Sequence, residues 1–440
     1  MSTLRALLSP GLLALALAAL PAAATNGYFA HGYGLKAKGM GGAATALAQD
    51  AFGGANNPAS FAFVGARFDV GGDVFRPVRD AEREGALGLP LGLFQLDGAS
   101  RSNRETFLIP EFGLSRPINE RLGLGLTVYG NGGLNTAYPQ GNYSCLLTGF
   151  SNNQLCGQGK LGVDLIQLVV APSLAWRFSE KQAFGISLLL TAQQFQAEGL
   201  QAFDNTIPLF NFTSRKGKVT NRGKDRSYGV GLRVGYLGHF FDERLSVGAA
   251  YASRTHMSRF KKYEGLFAEQ GDFDIPSNWS LGLALKLSPR WTLALDANRI
   301  RFSEVRSVGN PSASMALLGQ DNGPGFGWRD IDVLKLGLIW QATPRLALRA
   351  GVNVGDNPIR GEDVTFNILA PGVVRKHFTL GFTQSLDDKS ELTGAFMIAP
   401  RESVRGTSFF DRAFGLPGIG GEETIRMRQV SVGLAYGRSF

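Results

Sequence analysis

The chain has 440 residues, 58 of them Gly, and only 18% are charged, against about 7% Gly and about 25% charge in an ordinary soluble domain. A mean hydropathy of −0.02 excludes disorder, which needs low hydrophobicity and high charge. The mature chain lacks the repeated apolar runs of about 20 residues that a polytopic helical membrane protein requires, and its +9 charge (45 basic against 36 acidic residues) is scattered without a run of five cations, which argues against nucleic acid as a partner.

Residues 1–24 read as a secretory signal. Arg5 supplies the positive start, residues 6–20 are apolar apart from Ser9, Pro10 and Gly11, and Ala22 and Ala24 are the small residues before a cut preceding Thr25. A membrane anchor is the alternative, but the unbroken apolar stretch is too short to span. No Cys follows the cut, so no lipoprotein anchor is expected.

Residues 25–62 do not alternate. They run through Asn26-Gly-Tyr-Phe-Ala-His-Gly-Tyr-Gly34, Lys36, Lys38, Gly39-Met40-Gly41-Gly42 and an Ala-rich stretch to Ala51. Two helical turns are predicted over Ala43–Ala51, and Asn57-Pro58-Ala59 suits a helix start, with Asn as N-cap and Pro at N1. A small, Gly-rich, partly apolar segment of this size fits inside a barrel lumen. It is not a phosphate loop, because Gly-Lys-Ser/Thr is missing and no strand precedes it.

From about residue 63 the period becomes two. Leu122, Leu124, Leu126 and Val128 oppose Gly123, Gly125, Thr127 and Tyr129; Leu334, Leu336, Leu338 and Trp340 oppose Lys335, Gly337, Ile339 and Gln341; Val430, Val432, Leu434 and Tyr436 oppose Ser431, Gly433, Ala435 and Gly437. Each is a strand with one apolar face and one small or polar face. A soluble sandwich also alternates. Apolar parity kept for about nine residues, aromatics at strand ends, and short turns alternating with long loops favour a transmembrane antiparallel β-barrel. In lipid the sheet must close. Fourteen strands are predicted, near 65–78, 103–117, 121–137, 160–178, 182–198, 225–240, 243–262, 272–288, 290–307, 328–343, 345–358, 373–386, 389–402 and 425–440. Long loops fall near 79–102, 138–159, 199–224, 308–327 and 403–424. The domains are thus a signal (1–24), a plug (25–62) and an all-β barrel (63–440).

Within this frame the third strand carries Tyr129-Gly130-Asn131-Gly132-Gly133, where Gly130, Gly132 and Gly133 mark a bend or bulge. Asn131 and Asn135 are expected to satisfy backbone groups freed there. Cys145 and Cys156 are the only cysteines; eleven positions apart in an exported chain, they are expected to form one disulfide, with two free thiols as the alternative. No His lies near enough to complete a metal site with them. By parity Arg233, Lys286, Lys335 and Arg349 face inward, against Asp296. They are candidate lumen cations for a carboxylate, or partners for plug and lumen groups. Tyr436 and Phe440 end the last strand, and a terminal aromatic strand of this kind resembles the assembly signal of outer-membrane barrels.

The stretch 26–34, the run Lys38-Gly-Met-Gly-Gly-Ala43 and Asn57-Pro58-Ala59 resemble the start of FadL/TodX-type transporters, and the layout of signal, plug, strands and terminal Phe is similar throughout. The resemblance implies an outer-membrane protein of a Gram-negative bacterium, with a plug, or hatch, that contains Asn57-Pro58-Ala59 and a kinked third strand that opens the wall laterally. It implies passive transport of hydrophobic compounds: long-chain fatty acids first, aromatic or aliphatic hydrocarbons by the same route as the alternative. Expected partners are a hydrophobic small molecule, outer-membrane lipid and lipopolysaccharide, and the outer-membrane assembly machinery. A diffusion porin fits less well, because it needs an open, charged lumen. An enzyme is not expected: Gly-x-Ser-x-Gly is missing, and His31, His239, His256 and His377 read as structural. No cofactor or metal is implied.

Overall fold

The computed structural model describes residues 26–87, 95–145, 149–205 and 211–440; the signal segment 1–24 lies outside them. Fourteen antiparallel strands form a closed ring. They are β1 (Arg67–Glu84), β2 (Phe107–Pro117), β3 (Leu122–Asn135), β4 (Gly162–Ser179), β5 (Gln182–Glu198), β6 (Asp225–Phe240), β7 (Leu245–Ala252), β8 (Asn278–Ser288), β9 (Trp291–Ile300), β10 (Ile331–Thr343), β11 (Leu346–Gly355), β12 (Lys376–Ser385), β13 (Ser390–Thr407) and β14 (Glu422–Ser439). Each pairs with its neighbours in chain order, and β14 closes on β1 from Arg67–Ser439 to Glu84–Glu422. Among the described residues no helix is long and apolar enough to cross a membrane.

The apolar parity faces outward: Val430, Val432 and Leu434 on β14 and Leu281, Leu283 and Leu285 on β8 are exposed, as lipid-facing side chains must be. Trp291 and Trp340 stack at 5.4 Å on the short-turn end, and Phe68 packs on Tyr436 and Phe440 there, at 6.0 and 5.8 Å. Turns of two to four residues join the strands at this end, while the described residues of 85–106, 136–161 and 199–224, with the segments 253–277, 301–330, 356–375 and 408–421, form long loops at the other.

Two of those loops, 253–277 and 356–375, are longer than the alternation suggested. Strands expected over 243–262 and 272–288 shorten to Leu245–Ala252 and Asn278–Ser288. Phe260 and Phe273, which fell inside the expected strands, are buried with Tyr263 and Phe267 in a loop-side core and do not face lipid. β1 and β13 instead run longer than expected, to Glu84 and Thr407.

The segment from Asn26 to Phe63 lies within the ring. Inward-facing glycines make room for it. A methyl group at Gly125 on β3 would stand 2.2 Å from the Phe61 ring, at Gly185 on β5 2.3 Å from the Ala59 amide, at Gly351 on β11 2.1 Å from the Met40 carbonyl carbon, and at Gly433 on β14 2.5 Å from Leu35. Contacts to strands all round the wall can be made only from inside. The expected helix over Ala43–Ala51 does not form; helical turns occur at Leu35–Lys38 and Gly53–Asn56. A tertiary anchor overrides propensity here. The Asp296 carboxylate of β9 accepts from the Ala44 and Thr45 amides, each at 2.9 Å, and from the Thr45 hydroxyl at 2.7 Å. Unsatisfied buried donors cost about 1–3 kcal/mol each. Asp296→Ala is therefore expected to speed hydrogen exchange at residues 43–47 by at least tenfold while the barrel stays folded on a gel. Unchanged exchange would show the anchor to be dispensable.

Candidate functional site

Three features of the barrel stand out: the enclosed N-terminal segment, an apolar cavity under the loops, and a break in the wall.

Asn57 ties the segment to the short-turn half of the barrel. Its side-chain amide donates to the Thr45 and Tyr236 carbonyls, both at 2.8 Å, and its Oδ1 caps a short 3₁₀ helix, Pro58–Ala62, by accepting from the Ala59 amide at 3.1 Å. Pro58 at the first helical position gives up no hydrogen bond. Lys38 reaches Asp73 on β1 at 3.2 Å and Glu111 on β2 at 3.5 Å; Lys36 meets Glu391 on β13 at 2.6 Å. His31 stacks on His377 at 5.9 Å. Burial and the nearby Lys38 ammonium push its pKa down to about 3, so it is a neutral packing group. His239 lies 2.8 Å from Ser246 at the short-turn end, under the edge of Phe63.

The four inward cations do not form one cluster. Arg233 donates to the Ala55 carbonyl and to the Tyr129 hydroxyl and lies against the Tyr33 ring. Arg349 donates to Thr383 at 2.7 Å and to Gln49 at 3.2 Å. Lys286 is not a lumen residue: it stands half exposed at the short-turn end, 3.3 Å from Glu243. Parity alone placed it inward, because alternation carries no information about height along the barrel. Lys335 is buried without a hydrogen bond or ion pair among the described residues, and with Arg233, Ser280 and Asn298 it lines a polar cavity of about 50 Å³.

The loop-side cavity is of another kind. It also measures about 50 Å³ and is walled by Val163, Phe195, Leu200, Phe203, Leu266, Phe267, Leu318, Pro324, Phe326, Phe366 and Leu369, with Ser307 and Gly325 completing it. Rings pack around it: Phe195 on Phe267 at 4.6 Å, and Phe203 on Phe366 at 5.6 Å. No charged side chain lines it. Alternation could not reveal it, because its residues come from β4, β5 and loops distant in sequence; the one signal was the count of 31 Phe.

One wall of this cavity rests on an ionic loop. Arg254 donates to Asp274 at 2.6 Å and to Asp272 at 3.4 Å, and the Asp272 carbonyl accepts from Ser307 at 2.5 Å. Burial and, next, the Asp274 charge push the Asp272 carboxyl up to about 7. The folded loop therefore holds a proton that the unfolded chain releases near pH 4, and its stabilisation is lost as pH rises through 7. Protease cleavage within 253–277 should be slower at pH 5.5 than at pH 8.5; equal rates would refute this.

The wall breaks between β2 and β3. Their ladder runs from Pro117–Gly123 to Glu111–Tyr129 and stops. Above it β2 continues against β1 as far as Phe107, and β3 continues against β4 as far as Asn135, with a bulge between Gly130 and Gly132. Pro110, next on β2, has no amide to donate. The freed edge of β3 is met from inside: the Ala30 amide donates to the Asn131 carbonyl at 3.2 Å, and Phe29 bridges Gly132. A methyl group at Gly132 would stand 1.7 Å from the Tyr28 carbonyl oxygen, so only Gly permits this approach. The Asn131 side chain bonds other side chains and no freed backbone group, whereas the Asn135 side chain donates to a backbone carbonyl, that of Leu165 on β4, at 3.2 Å. Asn131 bonds Tyr33 and Gln167, each at 2.9 Å, and Asn135 donates to Asp164 at 2.6 Å. Cys145 and Cys156 are joined by a disulfide in the 136–161 loop, with Cα atoms 5.6 Å apart.

The sequence profile of a family described as outer membrane protein transport protein (OMPP1/FadL/TodX) matches residues 16–405. Among solved structures, the Pseudomonas putida toluene transporter TodX is similar at 19% identity, covering 94% of this chain and all of its own, with a TM-score of 0.64. A Pseudomonas aeruginosa FadL homologue is similar at 15% identity with the same coverage and a TM-score of 0.67. The Ralstonia pickettii toluene transporter TbuX is similar at 18% identity, covering 93% of this chain and 99% of its own, with a TM-score of 0.63. No curated protein sequence matches the chain.

Proposed function

Because the chain belongs to the FadL/TodX family of outer-membrane proteins that transport hydrophobic compounds, we propose that its substrates are uncharged aromatic or aliphatic hydrocarbons. They enter passively through the loop-side cavity and leave laterally between β2 and β3. The observation that carries this reading is the cavity lining: five Phe rings and no charged group. A carboxylate there would be desolvated without a partner, at a cost of several kcal/mol. The cavity is smaller than the about 150 Å³ that takes up benzene in a protein core, so ligand entry moves loop side chains.

The fatty-acid reading, first on sequence grounds, keeps one observation in its favour, the buried Lys335 ammonium lower in the lumen, which lies cross-strand from Asp296 but makes no hydrogen bond or ion pair among the described residues. Cells lacking other routes, with and without this protein, separate the two. Faster uptake of labelled toluene than of a labelled long-chain fatty acid, unaffected by Lys335→Met, supports the hydrocarbon reading. Fatty-acid uptake that Lys335→Met abolishes would replace it.

A further inference from the structure

On the outer surface, at the long-loop end of the β13–β14–β1 wall, lies a groove of about 430 Å³ lined by Asp80, Arg101, Ile398, Pro400, Arg401, Arg428 and Val430, among others. A bulge builds it. In β13 the register against β14 shifts between Ala399 and Glu402, where three steps on β13 span two on β14, Gln429 to Met427. One extra residue reverses parity. Below the bulge Phe396 and Ile398 face outward and are exposed; above it Arg401 and Arg405 do, and Arg405 pairs with Glu422. The switch falls where the lipid-facing band ends. On β14 the outward row is Arg438, Tyr436, Leu434, Val432, Val430, Arg428. The ten steps from Arg438 to Arg428, at about 3.3 Å each and a tilt of about 40°, give about 25 Å of height, the thickness of an outer-membrane apolar band.

The groove thus has an apolar floor, Ile398 and Val430, at the bilayer edge and a cationic roof. Three arginines face one carboxylate, a local charge of 3 − 1 = +2. Asp80 holds two of the guanidinium groups, Arg101 at 2.7 Å and Arg401 at 2.6 Å, and both remain more than half exposed. Arg428 is exposed and has no hydrogen bond or ion pair among the described residues. Fixed guanidinium groups suit phosphate, which they bind through paired N–H donors. The long-loop end faces the outer leaflet, and in the outer membrane of a Gram-negative bacterium that leaflet is lipopolysaccharide. We propose that this groove binds a phosphate of lipid A, with Arg101, Arg401 and Arg428 on the phosphate and the lipid's acyl chains on Ile398 and Val430.

Native mass spectrometry of the purified mature protein tests this with bisphosphorylated lipid A, the same lipid dephosphorylated, phosphatidylglycerol, and inorganic phosphate as competitor. One bisphosphorylated lipid A is expected to be retained. Each surface arginine contributes about fivefold in affinity, so Arg428→Gln, which disturbs no contact, should weaken retention about fivefold. Asp80→Asn, which frees two guanidinium groups, should strengthen it. Heat-modifiability on a gel confirms that both variants fold. Equal retention of dephosphorylated lipid A, or no change in either variant, would overturn the proposal. So would phosphatidylglycerol binding as tightly as lipid A, or inorganic phosphate displacing lipid A at equal concentration, since the groove would then read phosphate from another source.

Discussion

Deleting residues 26–62 is expected to raise single-channel conductance by an order of magnitude or more. A ring of fourteen strands encloses a lumen wider than side chains alone can fill, and in this protein several inward positions opposite the segment are glycine. Gly125, Gly185, Gly351 and Gly433 each stand where a methyl group would collide with it. With the segment gone, those positions leave space that water and ions occupy, and Arg233 and Arg349 lose Ala55 and Gln49 as partners. The measurement is conductance in planar bilayers, with heat-modifiability as the check that the barrel still forms. Conductance like that of the intact protein would mean that the loop side alone seals the pore, and the segment would not be a plug.

Tethering the wall shut should abolish uptake. A short bis-thiol linker between cysteines placed at Ile109 and Asn131 would span the stretch where β2 and β3 part above Glu111–Tyr129. A hydrophobic substrate gains about 0.8 kcal/mol for each CH₂ kept out of water, so release along the barrel axis is uphill and release through the wall is not. The untethered double-cysteine protein should transport normally, and the linked one should still bind hydrocarbon at the loop cavity. Undiminished uptake through the linked wall would send the route down the axis, and the break beside Gly130–Gly133 would be only a docking edge for residues 28–30.

The barrel was legible in the sequence because lipid on one side and a packed lumen on the other impose period two on every strand. The small face of that pattern, Gly125 or Gly433 against its leucines, already recorded that something stands close inside. Loop lengths were less legible. Phe260, Phe267 and Phe273 are as apolar as lipid-facing residues, and a one-dimensional pattern does not say which solvent they avoid. The third-strand glycines marked the right place, but the partner of the freed backbone came from residues 29–30, about a hundred positions earlier. Lys286 shows the same limit: parity assigns a face and leaves height unassigned.

The helical turn Leu35–Lys38 touches both sides of the seam that closes the ring. Leu35 packs at Gly433 on β14, Lys36 meets Glu391 on β13, and Lys38 meets Asp73 on β1. The first and last strands stand at opposite ends of the barrel-forming chain, so theirs is the pairing of longest sequence range in the ring. The turn makes its contacts to β1 and to β13–β14 together only where those strands are side by side. The amino-terminal segment is therefore a clasp across the seam, adding ion pairs on β1 and β13 to the β1–β14 ladder. Without the segment the β1–β14 ladder would stand alone at the seam, with Asp73 and Glu391 left without their lysine partners.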